Sequence, residues 1–419
     1  MHNAQLKNYK FHNCLRCSNL RQFVIKSNRL ILLLILVLSL PNTLLAQNNA
    51  DSLNNYELCI VHYELNRWDA LMNWNFMALP YPSYSPETSW QFGITGVWYF
   101  HTSKNSTQFS DLNFDMGYTL NRQWYVNTNS RIYFDNTTRW FLDAYLSAKH
   151  YPDLFFGTTN NIDSVYNPAI KYTANFIDLQ AKTSFYITKH WLVGATLRFR
   201  YENSIQSTDN SSLLTPHSSL LIQNGFGENI FLGVGGSISY DTRSNNYYPL
   251  NGLFFKTTIT YYQQIPLDNQ QSTINNQQSM VNFQIDLRQY IPLYKELILA
   301  WNFRSECTVG NDIPFQLLPT VGGQDLVRGI RQNKFKDNTL FALQTELRIP
   351  IWRFLKAAAF ASIGDVYDYN NWQWATPKIG YGIGLRACIH QAKTNIRFDI
   401  ARQNYSNDWS FYFTVKEAF

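Results

Sequence analysis

The chain has 419 residues, of which 16% are aromatic and 15% charged, and a formal net charge of +6. The whole of that excess lies in the first 46 residues, where Lys7, Lys10, Arg16, Arg21, Lys26 and Arg29 face no acid. The remainder of the chain is close to neutral, so the basic balance gives no support to nucleic-acid binding.

The basic stretch runs into an apolar segment, "LILLLILVLSL", and then "PNTLLAQ", the order of a secretory signal peptide, with cleavage expected near Ala46. The apolar run is shorter than the ~20 residues a membrane-crossing helix needs. No cysteine succeeds it to carry a lipid. Cys14 and Cys17 form a C-x-x-C inside this leader, and Cys59, Cys307 and Cys388 are too scattered for a disulfide framework or a zinc site. Residues 47–79 are expected to form a short segment, a helix or plug, ahead of a larger β-structure whose rim it would meet.

Beyond residue 79 the pattern has a period of two. In "VGATLRFRY" Val193, Leu197, Phe199 and Tyr201 alternate with Thr196, Arg198 and Arg200; in "QIDLRQY" Ile285 and Leu287 alternate with Asp286 and Arg288. In "FALQTELRI" Phe341, Leu343, Leu347 and Ile349 share a face with Thr345, opposite Gln344, Glu346 and Arg348, and "IRFDI" repeats the alternation with Arg397 and Asp399. Each is a strand with one apolar and one polar face.

In chain order the strands are expected near 74–84, 89–101, 108–120, 122–134, 138–150, 171–187, 189–206, 229–241, 252–264, 277–292, 295–309, 337–351, 354–367, 377–390, 393–404 and 408–419. Their length suits tilted membrane strands better than the ~5–6 residues of globular sheets. Short turns such as "IPLYKE" and "IPIWRF" alternate with long loops over 151–170, 207–228 and 310–335, and aromatic residues such as Trp191, Tyr261, Trp352 and Trp372 gather at strand ends. Those are the marks of an all-β, sixteen-stranded antiparallel transmembrane barrel over 80–419 in the bacterial outer membrane, its short turns periplasmic. Pro80, Pro82 and Pro86 remove ladder donors from the first strand, so its seam with the last should hold few hydrogen bonds.

The last strand, "DWSFYFTVKEAF", places Phe411, Phe413 and Phe419 where an outer-membrane assembly signal is expected. The motifs "VGGQDLVRGI", "LFALQTELRIPI", "AAAFASIGDVYD", "GYGIGLRACI" and "NIRFDIARQ", in that order, with "GGSISYDTRSNNYYPLNGLFF" upstream, resemble the BamA/TamA superfamily of outer-membrane assembly and transport barrels. The resemblance covers roughly Pro80 to Phe419.

It implies that the loop carrying Gly322, Gly323, Arg328 and Gly329 folds into the barrel and that Arg328 docks on acidic groups of the inner wall. A bidentate guanidinium–carboxylate pair would explain the need for arginine. Where the family has Phe-x-Asp-x-Gly, this sequence has Phe360, Ser362 and Gly364, so the expected acid is a serine. Asp365, Glu346 and Asp399 remain as partners, with Glu346 or Asp399 favoured by their polar strand faces. The family's periplasmic domains do not fit between Gln47 and the first strand.

No catalytic residue, metal site or cofactor emerges. His62, His101, His150, His190, His217 and His390 lie at turns or loops without a nucleophile motif. Gly233, Gly235 and Gly236, and Gly380, Gly382 and Gly384, suit a crowded or curved barrel wall rather than a phosphate loop. The expected function is assistance to the insertion or transport of proteins or lipids, with outer-membrane lipid, the barrel-assembly machinery and unfolded outer-membrane or secreted clients as partners. A passive pore-forming or structural barrel is the alternative.

Overall fold

The computed structural model describes residues 76–102, 110–134, 139–161, 169–206, 225–244, 248–267, 278–352, 355–388, 395–415 and 417–419. The expected leader, residues 47–75 of the segment behind it, and Cys14, Cys17, Cys59, His62, His217 and His390 lie outside the described residues.

Period-two alternation becomes strand after strand, hairpin-connected, from β1 (Phe76–Ser85), β2 (Ser89–Phe100), β3 (Ser110–Thr119) and β4 (Trp124–Tyr133) onward. The wall continues through β5 (Trp140–Phe155), β6 (Ile170–Tyr186), β7 (Trp191–Gln206) and β8 (Gly227–Asp241). Next come β9 (Gly252–Pro266), β10 (Gln278–Tyr294) and β11 (Leu297–Gly310). After a long loop holding the two-residue strands β12 (Thr320–Val321) and β13 (Phe335–Lys336), it resumes with β14 (Thr339–Trp352), β15 (Leu355–Tyr367), β16 (Lys378–Cys388), β17 (Asn395–Gln403) and β18 (Trp409–Val415). All but β12 and β13 close into one antiparallel barrel in which β1 meets β18. Closure satisfies the backbone of every inner strand, which a strand in lipid requires.

The faces sort as the sequence alternates. Along β14, Ala342, Gln344, Glu346 and Arg348 are buried inside while Phe341 and Leu343 are exposed outside. Leu197 and Ile383 leave 64% and 65% of their surface uncovered, a large apolar exposure that makes sense where lipid is the solvent. The main apolar core therefore sits inside the lumen: Val321, Leu326, Val327, Ile330 and Phe335 of the long loop pack on Leu340, Ala342 and Val366 of the wall.

Three boundaries differ from the sequence reading. β5 continues past His150 to Phe155, through Pro152, because Phe155 packs in an aromatic cluster with Phe226 and Phe315 and Asp153 serves the long loop. The last strand stops at Val415 rather than running to Phe419. Phe419 turns inward, buried against Tyr248, Tyr290, Ile298 and Ala300, whereas Phe411 stays exposed on the outer face of β18. The long loop also carries a small hairpin, β12 with β13, too short to leave a periodic signal.

Candidate functional site

The loop over 311–338 carries its Arg-Gly tip into the barrel. Arg328 is fully buried. Its Nη1 lies 2.8 Å from Asp399 Oδ2 on β17 and 2.9 Å from Glu346 Oε2 on β14. Its guanidinium carbon is 3.5 Å from the centroid of the Phe360 ring. One nitrogen thus bridges two carboxylates, which replaces the expected bidentate fork on a single acid. A guanidinium offers the Phe360 ring a flat face that an ammonium group does not.

Gly329 has φ +100°, a conformation that favours glycine, and a Cβ there would fall 3.0 Å from the Arg402 carbonyl. Its N–H donates to Tyr412 Oη at 3.0 Å and its carbonyl accepts from Ser410 Oγ at 3.2 Å, both on the inner face of β18. Gly322 and Gly323 also have positive φ, 114° and 89°, and turn the chain into the hairpin. Gly380 on β16 clears the way: a Cβ there would collide with the Arg328 carbonyl oxygen. Of the alternate glycines of β16, Gly380 lies under the tip, while Gly382 and Gly384 make room for Phe360 and for Asp399 and Arg386 of the wall.

Ser362 does not meet Arg328; its Oγ donates to the Gly380 carbonyl at 3.1 Å. Asp365 pairs with Lys378 at 2.7 Å. The charge absent at Ser362 is supplied by Glu346 and Asp399 on other strands.

Those two acids anchor a wider network. Arg386 reaches Asp399 Oδ1 at 2.5 Å, Glu346 Oε2 at 3.1 Å and Glu417 Oε2 at 2.8 Å. Arg348 Nε lies 3.0 Å from Glu346 Oε1, and its Nη2 donates to the Phe419 carbonyl at 3.1 Å. Arg397 binds Asp325 of the loop at 3.1 Å. Buried ions persist only when paired, and here Arg328, Arg348, Arg386 and Arg397 face the buried Glu346, Asp399 and Glu417 and the more exposed Asp325. Arg348 and Arg397 stand out in sequence as charges on inward strand faces, and Arg386 has the same parity opposite Tyr381, Ile383 and Leu385; Glu417, beyond β18, carries no such signal.

The long loop also holds groups outside the membrane-spanning strands. Burial pushes the Asp337 carboxyl up to about 6, against the hydrogen bond from the Asn338 N–H, and Asp368 and Asp365 nearby act in the same sense. Burial lowers the Lys336 amine to about 8.

Where the barrel closes, the pairing thins to one. Among the described residues β1 and β2 share ten paired positions, but β1 and β18 share a single one, Tyr84↔Phe413. The hydrogen bond from Leu120 N–H to the Trp90 carbonyl directs the even residues of β2 toward β3 and its odd residues toward β1. With Ser85 opposite Ser89, the odd residues of β1 bond to β2, and its even residues aim their backbone at the seam. Pro80 and Pro82 therefore remove donors from the seam edge alone, where proline is tolerated. Extended in register, that edge would place Pro82 opposite Val415.

The Omp85 superfamily domain matches residues 101–419. No curated protein matches. Among solved structures, BamA from Haemophilus ducreyi lacking POTRA domains 1–3 superposes with a TM-score of 0.54 at 13% identity, over 82% of this chain and 70% of that one. CdiB from Acinetobacter baumannii gives 0.53 at 12% identity, over 81% and 59%, and CdiB from Escherichia coli 0.53 at 11%, over 82% and 63%. The chain thus spans less than two thirds of either CdiB chain, and at these identities the likeness shows the fold alone.

Proposed function

Because the chain belongs to the Omp85 superfamily, as an outer-membrane barrel of the protein insertion and transport class, we propose that it moves or inserts proteins or lipids through the seam between β1 and β18. The observation that carries this reading is the seam itself, with one paired position among the described residues where the other neighbouring wall strands share seven or more. A ladder bond is worth about 1 kcal/mol net, so parting this junction costs far less than parting any other. Clients are unfolded outer-membrane or secreted polypeptides or lipid, and the barrel-assembly machinery is the natural partner.

The lumen loop keeps the barrel closed between events. A sixteen-stranded wall is wide enough for an aqueous lumen, and Arg328 holds the loop across it. The aromatic residues of β18, Phe411 and Phe413 on its outer face and Phe419 turned into the lumen, belong in this reading to the barrel's own assembly signal.

Depleting the protein in its native cell, then measuring the outer membrane by quantitative proteomics and lipid analysis, tests the proposal. Selective loss of particular barrels, surface proteins or lipids is expected and names the clients. An unchanged outer membrane would replace the proposal with a passive barrel.

A further inference from the structure

The loop tip touches both sides of the seam. Three residues beyond Gly329, which is bonded to Ser410 and Tyr412 of β18, the Gln332 N–H donates to Glu87 Oε1 at 2.8 Å. Glu87 sits in the turn joining β1 to β2 and is buried, 6% exposed. Three residues of extended chain reach about 10 Å, enough to cross from one edge strand to the other. The turn is itself fixed, since the Glu87 carbonyl accepts from Asn121 Nδ2 at 2.9 Å and from Gln123 Nε2 at 3.5 Å.

From this geometry we infer that residues 329–332 are a clasp that holds β1 and β18 together from inside the lumen, in place of the ladder that Pro80 and Pro82 prevent. A loop that merely plugged the lumen would need no bond to the turn beside the seam. This one spends its backbone N–H groups on opposite sides of it: Gly329 on β18, Gln332 on the turn that ends β1. A separate contact fastens the same loop elsewhere: Arg331 Nη2 and Asn333 Nδ2 donate to Asp153 on β5 at 3.1 and 3.0 Å. The loop thus reaches β5, four strands from β1, through the side chains of Arg331 and Asn333, and the seam through the backbone of Gly329 and Gln332. It follows that the loop and the seam open together, and that the lumen does not open to client while the seam stays shut.

The inference deepens the seam reading above, but its test needs no client. Tyr84→Cys with Phe413→Cys, the other cysteines replaced by serine, places two thiols at the one paired position of the seam. The rate at which this pair forms a disulfide in purified barrel under mild oxidant reports how long the edges stay in register. With Glu87→Ala and Tyr412→Phe added, the rate is expected to fall at least fivefold, while Asp153→Asn, which frees the loop from β5 only, leaves it within twofold of the parent. Equal rates in the parent and the Glu87→Ala/Tyr412→Phe barrel would overturn the clasp, as would an equal fall with Asp153→Asn. Should the double variant not assemble, Tyr412→Phe alone removes a single hydroxyl and is expected to slow the pair measurably; an unchanged rate there counts against the clasp. Because the readout is in purified protein, it stands apart from the depletion experiment: clients can be lost in the cell while the clasp fails, or the reverse.

Discussion

Replacing Arg328 by alanine should unlatch the lumen loop. The change removes the Nη1 contacts at 2.8 Å to Asp399 and 2.9 Å to Glu346 and the stack on Phe360, in a site with no solvent to take over. Breaking a buried ion pair by deleting one partner costs about 3–5 kcal/mol. Arg386 and Arg348 still face the same acids, which places the loss near the lower figure. At about 1.4 kcal/mol per tenfold, that is a roughly hundredfold shift toward the undocked loop. Arg328→Lys keeps a charge that can bridge both carboxylates but loses the flat face on Phe360, so about 1–2 kcal/mol is expected. Single-channel conductance in planar bilayers reads the effect: long closed periods for the parent, frequent large openings for Arg328→Ala, an intermediate pattern for Arg328→Lys. Equal conductance in parent and alanine variant would refute the lock, and a lysine variant as open as alanine would refute the role of Phe360.

The same contacts set other outcomes. Gly380→Ala places a methyl group against the Arg328 carbonyl and should open the channel as Arg328→Ala does, with the ion network intact. Asp337 binds its proton more tightly folded than unfolded, since its folded value is raised to about 6 from the usual carboxylate range near 4. The folded state is therefore favoured below about pH 4 and loses that advantage as pH rises to 6. Thermal unfolding in detergent should show this slope, and Asp337→Asn should flatten it. Pro82→Ala returns a donor to the seam edge opposite Val415. It should add about 1 kcal/mol per bond formed, seen as slower amide exchange in β1 and β18; unchanged exchange would deny the proline its part in keeping the seam weakly paired.

Much of the barrel was legible because a strand between lipid and water must alternate, and alternation survives in sequence without any neighbour to interpret it. Most wall strands were placed this way, and polar parity put Glu346 and Asp399 on the inner wall, where the family resemblance implies that Arg328 docks, although Ser362 stands where the family has its acid. Contacts between distant strands left no such trace. Pro152 reads as a strand end, yet β5 passes through it because Asp153 and Phe155 are needed at the loop. Phe419 reads as the end of an outward aromatic strand, yet it enters the lumen, where Arg348 lies over its ring at 5.6 Å. Glu87 carries no signal of its role in the sequence, because its partner lies 245 positions away.

The central claim, that work is done through the β1–β18 seam, is tested most directly by locking it in the living cell. Tyr84→Cys/Phe413→Cys barrels, produced as the sole copy and oxidised, should reproduce the outer-membrane losses of depletion, and a reductant should reverse them. A cell whose outer membrane stays normal with the seam covalently shut would contradict the account.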